Sequence, residues 1–403
     1  MTRGHPITAA AIANCLGTDN RTVFERAFAG ADAFSPASAF YAFPFPTVLG
    51  IMPSPLTSGG AWSAQDPDCI PTRLATVMLP SVRQLRPAVR AAVDRWGARR
   101  VAYVFASSTG GLEETERSLA PDPRLPLSSA VYRYADHGID AASAAVAHSL
   151  GMEGVCMAIS TACSSSFNAL ASAIRLIDCG LADAVVVGSA DSLCRTTIFG
   201  FHSLGLTAST AMQPFARDRS GITLGEGSAY VLIERDAEAT RHHALAWVTG
   251  IAAASDAFHH TSPHPEGIGG QLCMRQALER AGLTPNEVDY VSAHGTGTRL
   301  NDAVEAAAVR QVFERRVPMT ATKSLTGHTL GSAGLTALIL VVESLRRQEI
   351  PATLRAAPPD DSLGVAVVDK LTRARLQHVL VNAFGFGGSN VSVVVSQRSP
   401  EPS

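Results

Sequence analysis

The order of elements implied by apolar spacing runs through this chain twice. Residues 7–16 form an apolar, Ala-rich run ending in Gly17-Thr18-Asp19-Asn20, which reads as a buried strand, a turn and the start of a helix over 22–29. Further strands are predicted at 100–105, 155–159, 182–189 and 230–233, with helices at 82–96, 141–150 and from Phe167 onward. The run at 182–189 is apolar and β-branched enough to be buried on both faces. Near residue 240 the pattern restarts: strand 246–254, helix 270–282, strand 288–293, helix 302–313, a loop at 323–328, helix 333–348, and strands at 379–384 and 391–395. Strands alternating with helices imply parallel βαβ units and an α/β class. Repeated order without repeated sequence predicts two similar halves, residues 1–240 and 241–403. Residues 34–68, rich in Pro, Ser, Gly and aromatic side chains, read as an irregular excursion over the core.

Charge excludes some classes of function. With 33 Lys+Arg against 35 Asp+Glu the net charge is -2, so nothing draws the whole molecule to nucleic acid or an anionic membrane. The 7 cysteines are odd in number and scattered without CxxC or Cys/His clusters, which argues against a disulfide framework and a structural zinc. No apolar run reaches membrane-spanning length and the N-terminus lacks signal-peptide grammar, so a soluble protein of the reducing cytoplasm is expected.

Four short segments can carry chemistry. In Ser160-Thr161-Ala162-Cys163-Ser164-Ser165-Ser166 a cysteine sits between a predicted strand and helix, where free N–H groups and the helix dipole favour thiolate. A nucleophile is one reading and a buried small hydrophobe the other. Ser292-Ala293-His294-Gly295-Thr296-Gly297-Thr298 ends a strand in small residues that let a substrate chain approach, although a core histidine would look the same. Lys323 and His328, five apart in a loop, either share a cavity or leave the lysine solvated. The turn Asn382-Ala383-Phe384-Gly385-Phe386-Gly387-Gly388-Ser389-Asn390 has no helix after it, which rejects a dinucleotide site and leaves a tight hairpin as the plain alternative.

Taken together, in this order and at these intervals, the four segments resemble the β-ketoacyl-acyl carrier protein synthases of the thiolase superfamily. The resemblance spans nearly the whole chain and implies a thiolase-like fold: two duplicated α/β halves in a five-layered α-β-α-β-α architecture. It also implies an acyltransferase that joins an acyl group to a malonyl unit by decarboxylative Claisen condensation. Cys163 would be the acyl acceptor, with its own N–H and that of Phe386 as oxyanion hole. His294 and His328 would hold the malonyl thioester carbonyl, and Lys323 would be a charge orienting His328. Thr296 and Thr298 would bind the phosphopantetheine arm of the acyl carrier protein, Gly385, Phe201 and Thr109 would contact the acyl chain, and Phe386 would gate its pocket. Asp302 and Glu305 would pair with basic side chains beneath the site. No metal and no separate cofactor are implied. The implied partners are the carrier protein and a second subunit, either another copy or a cysteine-free chain-length-factor relative, with Thr109 and residues 132–135 near the interface.

Some positions depart from the family pattern. Position 337, where a glutamate is common, is alanine, which leaves Lys323 in need of another partner, and acids common at positions 216 and 220 are replaced by Ala216 and Ser220. The Ser107-Ser108-Thr109-Gly110-Gly111 run and the short N-terminus look more like ketosynthases of polyene or aryl polyene pathways than of primary fatty acid synthesis, which stands second. A ketosynthase-like structural subunit stands third, disfavoured by the intact Cys163.

Overall fold

The computed structural model describes residues 4–53, 72–119 and 137–398. Strand β1 (His5–Asn14) leads into helix α1 (Asn20–Phe28), capped by the Asp19 carboxylate, which accepts from the Thr22 N–H at 2.9 Å. Helix α2 covers Arg73–Trp96 and so begins well before residue 82, where spacing predicted it. Pro80 lies within the extension, but Leu74, Val77, Met78 and Ser81 are buried, and packing overrides the proline penalty. Then come β2 (Val101–Ala106), α3 (Leu112–Leu119), α4 (Ile139–Ser149), β3 (Cys156–Ile159), α5 (Ser165–Asp178), β4 (Ala184–Asp191), α6 (Arg195–Ser203) and β5 (Gly227–Glu234). After residue 245 follow β6 (Ala246–Ser255), α7 (Ile268–Ala281), β7 (Tyr290–Ser292), α8 (Arg299–Val312), β8 (Pro318–Thr320), α9 (Lys323–Thr326), α10 (Ala333–Arg347), β9 (His378–Gly385) and β10 (Ser389–Ser396). Sequence spacing did not foresee α3 or α6, and the predicted loop at 323–328 opens with the single helical turn α9.

These strands form one sheet in the order β8-β7-β9-β10-β6-β1-β5-β4-β2-β3, with the two-residue strand Ala366–Val367 outside β8. Pairing corrects the expectation of purely parallel units. β2 is parallel to β3 and β4, whereas β4 with β5 and β5 with β1 are antiparallel. The same pattern recurs on the other side: β7 is parallel to β8 and β9, while β9 with β10 and β10 with β6 are antiparallel. Strands β1 and β6 join the two sets through three residue pairs, from His5 with Val248 to Ile7 with Ala246.

Alternation along the strands assigns the layers. Ala102, Val104, Val185, Val187, Val231 and Ile233 face a central core shared with α5 and α10, and Val379, Val381, Val391 and Val393 face the same core from the other strand set. Their sequence neighbours turn outward. Tyr103, Phe105 and Val186 pack under α2 and α4, while Val291, Leu380 and Val394 pack under α7 and α8. The result is five layers, α-β-α-β-α, as the resemblance implies. Burial on both faces explains why β4 reads as a continuous apolar run.

Candidate active site

Cys163 stands in the turn between β3 and α5, two residues before the first helical position, and is buried. Ala162 takes a left-handed φ of 52°, which bends the chain sharply into the helix. The serines that follow brace the turn. Ser164 Oγ donates to the Thr161 carbonyl at 2.8 Å, the Thr161 N–H donates to Ser165 Oγ at 2.8 Å, and Ser166 Oγ accepts from the Leu335 N–H of α10 at 3.2 Å. Gly385 meets this turn directly: a Cβ there would lie 3.2 Å from the Thr161 carbonyl oxygen and 3.3 Å from the Ser164 nitrogen.

The second and third segments bring both histidines to the sulfur. His328 Nε2 lies 3.2 Å from Cys163 Sγ, and the two imidazole rings sit 5.5 Å apart at 86°. Each ring's outer nitrogen faces a donor. The Leu330 N–H donates to His328 Nδ1 at 3.1 Å, and Lys323 Nζ lies 3.2 Å from His294 Nδ1 while also donating to the His294 carbonyl. A neutral imidazole whose Nδ1 accepts carries its proton on Nε2, so both rings present Nε2–H inward.

Lys323 therefore serves His294, not His328 as the resemblance implies. Ala337 is packed in the central core, and the acids that attract Lys323 are Glu305 and Asp302. Neither acid pairs mainly with a base, which corrects that expectation too. Glu305 accepts from the N–H groups of His294 at 2.7 Å and Gly295 at 2.8 Å and from the Asn382 amide at 3.1 Å. Asp302 accepts from the N–H groups of Phe215 at 2.8 Å and Gly297 at 3.1 Å, with Arg219 Nε at 4.0 Å. Both carboxylates fix the backbone on which His294 stands.

Burial sets the protonation states. The Cys163 thiol is pushed up to about 11 by loss of solvent, against the pull of the Lys323 charge and the N–H of Phe386. The thiolate expected from a helix start is thus outweighed by desolvation. Burial and the Lys323 charge hold His294 and His328 well below the usual imidazole range, so both are neutral at pH 7. Lys323 itself is lowered to about 8 by burial, with Glu305 opposing.

Cys163, His294 and His328 have donor atoms within 4.8 Å of one another, a spacing that a metal could use. Their surroundings do not fit one. A metal-bound histidine donates its other N–H to an acceptor, whereas here both outer nitrogens already accept.

A cavity of about 170 Å³ has these three residues as its floor. Thr296 and Thr298, their hydroxyls 3.1 Å apart, form one wall, and Phe201, Gly385 and Phe386 another. The Phe201 and Phe386 rings are 5.6 Å apart. Lys323 lies behind His294, outside the lining. Thr109 is also apart from it: its N–H and hydroxyl both donate to Asp191 at 2.8 Å. Residues 132–135, and the Pro/Ser-rich stretch at 121–129, lie outside the described residues.

Two features escaped the sequence reading. Asp191, fully buried at the end of β4, was hidden in a strand read as apolar. The segment 256–264 holds the Gly-rich turn through the Gly387 N–H on the His260 carbonyl at 2.8 Å and the Asp256 N–H on the Gly388 carbonyl at 2.9 Å. Its run of histidines was the available signal.

Comparison with known proteins matches the same regions. Residues 65–239 fit the family model of the β-ketoacyl synthase N-terminal domain and residues 245–357 that of its C-terminal domain. The 3-oxoacyl-[acyl-carrier-protein] synthase 2 of Vibrio cholerae is 32% identical over 320 residues, covering 75% of this chain and 77% of that one. The chain belongs to the β-ketoacyl synthase family. Synthase 2 of Coxiella burnetii is 28% identical over 410 residues, 97% of this chain and 98% of its own. The ketosynthase ApeO of Xenorhabdus doucetiae, solved in complex with its chain length factor ApeC, superposes with a TM-score of 0.88 at 32% identity over 98% of both chains. This β-ketoacyl synthase accordingly has the thiolase-like fold and is a carbon–carbon bond-forming acyltransferase acting on acyl thioesters. No described helix is long and apolar enough to cross a membrane.

Proposed function

We propose that Cys163, His294, His328 and Phe386 carry the synthase reaction, with acyl and malonyl groups delivered on the phosphopantetheine of acyl carrier proteins and no separate cofactor. The observation that carries this reading is the convergence of one buried sulfur and two Nε2–H donors on one cavity. Cys163 attacks the acyl thioester, its proton leaving with the carrier thiol, and an acyl-enzyme forms. The N–H groups of Cys163 and Phe386 stabilise the developing oxyanion. Thr296 and Thr298 hold the incoming arm. The malonyl thioester oxygen then meets both Nε2–H groups. The bond to the carboxylate breaks, carbon dioxide departs, and its electron pair forms the enolate that those donors stabilise. The enolate carbon attacks the acyl carbonyl, a carbon–carbon bond forms, and the Cys163 thiolate leaves. Lys323 keeps the proton of His294 on Nε2.

The polyene or aryl polyene pathway suggested by the 107–111 run stands first, and the likeness to ApeO, a ketosynthase solved with its chain length factor, is consistent with it. Equal identity to the Vibrio cholerae enzyme favours primary fatty acid synthesis as the second reading. A second subunit, another copy or a chain-length-factor relative, belongs along β3, an outermost strand with an exposed Cys156 and half-buried Met157, Ala158 and Ile159. The recurrence of strand order, and a gap between family matches at 239 and 245, support division into halves at residue 240. A cytoplasmic setting is part of this reading.

The test is the Cys163→Ala variant, with mass spectrometry of the protein after incubation with acyl carrier protein. The parent gains an acyl group and releases 3-oxoacyl product, whereas the variant does neither and keeps its fold. Elongation retained in the variant overturns the mechanism. Saturated chains alone on the parent cysteine overturn the specialised-pathway assignment.

A further inference from the structure

Asp191 has no part in the reaction as described, yet it binds the turn that follows His328. It is 0% exposed and ends β4, next to the site. One carboxylate oxygen accepts from Ser107 Oγ, the Ser108 N–H, the Thr109 N–H and Thr109 Oγ1, each at 2.8 Å. The other accepts from the Ser332 N–H at 3.2 Å and Ser108 Oγ at 3.3 Å, and a Cβ on Gly331 would come within 2.9 Å of it. Ser108 Oγ also accepts from the Gly331 N–H at 2.8 Å. The two residues after Leu330 are therefore pinned by the carboxylate and by the serine it holds.

Leu330 itself sits at a φ of 53°, a strained value for a branched side chain that only its surroundings can impose. That conformation aims the Leu330 N–H at His328 Nδ1. With Nδ1 accepting, the ring's proton is on Nε2 and points to Cys163 and the cavity. We propose that Asp191 is a positioning residue for the condensation: by clamping the 330–332 turn it holds Leu330 in its left-handed conformation and so fixes His328 as the Nε2–H tautomer. This rests on the reading of His328 as a donor to the enolate oxygen.

Asp191→Asn separates the two jobs of the carboxylate. The amide oxygen can replace the oxygen that takes four donors, while the amide nitrogen is set against the Ser332 N–H, donor against donor. The direct hold on the Ser332 N–H is lost, while the hold on 107–109, and with it Ser108 Oγ on the Gly331 N–H, is kept. Ser108→Ala removes the acceptor of the Gly331 N–H by a smaller change and decides the matter if the first variant does not fold. The expected result in either variant is a fall in malonyl decarboxylation and in condensation of about 10- to 100-fold, the scale for outer partners that orient a working histidine. Acylation of Cys163 should stay within about threefold, since it uses the oxyanion hole and not His328. In ¹⁵N-histidine spectra the His328 signal, identified by its absence in His328→Asn, should move from the Nε2–H form towards the Nδ1–H form. Unchanged decarboxylation, or equal losses in both half-reactions with the tautomer retained, overturns the inference. If His328→Asn itself decarboxylates at the parent rate, the reading of His328 fails instead, and the two failures are thereby told apart.

Discussion

Lys323 carries a charge where burial disfavours one. In the folded chain its ammonium is lowered from 10.5 to about 8, so between those values the unfolded chain binds the proton and the native state does not. Stability gained from deprotonating this group therefore rises with pH over that window, and at pH 7 the charge is a cost. Replacing it, as Lys323→Met, relieves that cost but strips His294 Nδ1 and its carbonyl of a donor. The expected stability at pH 7 is within about 1 kcal/mol of the parent by chemical denaturation. Condensation should fall about 10²- to 10³-fold, as when one donor to a developing oxyanion is removed. Alkylation of Cys163 by iodoacetamide at pH 8 should also slow, because Lys323 opposes the rise of the thiol. Faster alkylation in this variant would contradict the electrostatics given for the site.

Among the elements, strand β6 and helix α7 approach closely at Gly250. A Cβ on Gly250 would lie 2.1 Å from the Ala277 carbonyl oxygen, a backbone atom that cannot swing away. Gly250→Ala should cost about 3 kcal/mol, the upper end for overpacking, read as a shifted denaturation midpoint. Gly200 in α6 is the contrast: it is helical and nothing lies within 4 Å of the added atom. Gly200→Ala should stabilise by about 0.5–1 kcal/mol through helix propensity and the unfolded chain. Equal effects of the two substitutions would mean that propensity, not packing, governs these positions. The two share a letter in the sequence, and only the opposing element distinguishes them.

At the scale of the molecule, β3 closes one edge of the sheet with an exposed cysteine and no further strand among the described residues. Cys156→Arg should cost the isolated subunit no more than about 1 kcal/mol, since the residue is exposed there and gives up only its contact with Ser143. In solution it should halve the mass measured by light scattering, as a charge is set against a second subunit. A dimer that persists in the variant places the partner elsewhere. By itself the sequence determined the family and most of the fold, and it named the residues of the proposed site. Residues Cys163, His294, His328 and Phe386 lie in short segments whose glycines and small residues are required locally, and the central strands, buried on both faces, read as continuous apolar runs. Tertiary structure alone decided how those segments serve one another. That Lys323 meets His294, that Glu305 holds backbone N–H groups, and that Asp191 reaches the turn after His328 all depend on loops from four strands converging at one end of the sheet. The thiol was read as acidic from its place before a helix, but it is raised to about 11 because the layers that gather these loops also exclude water from it.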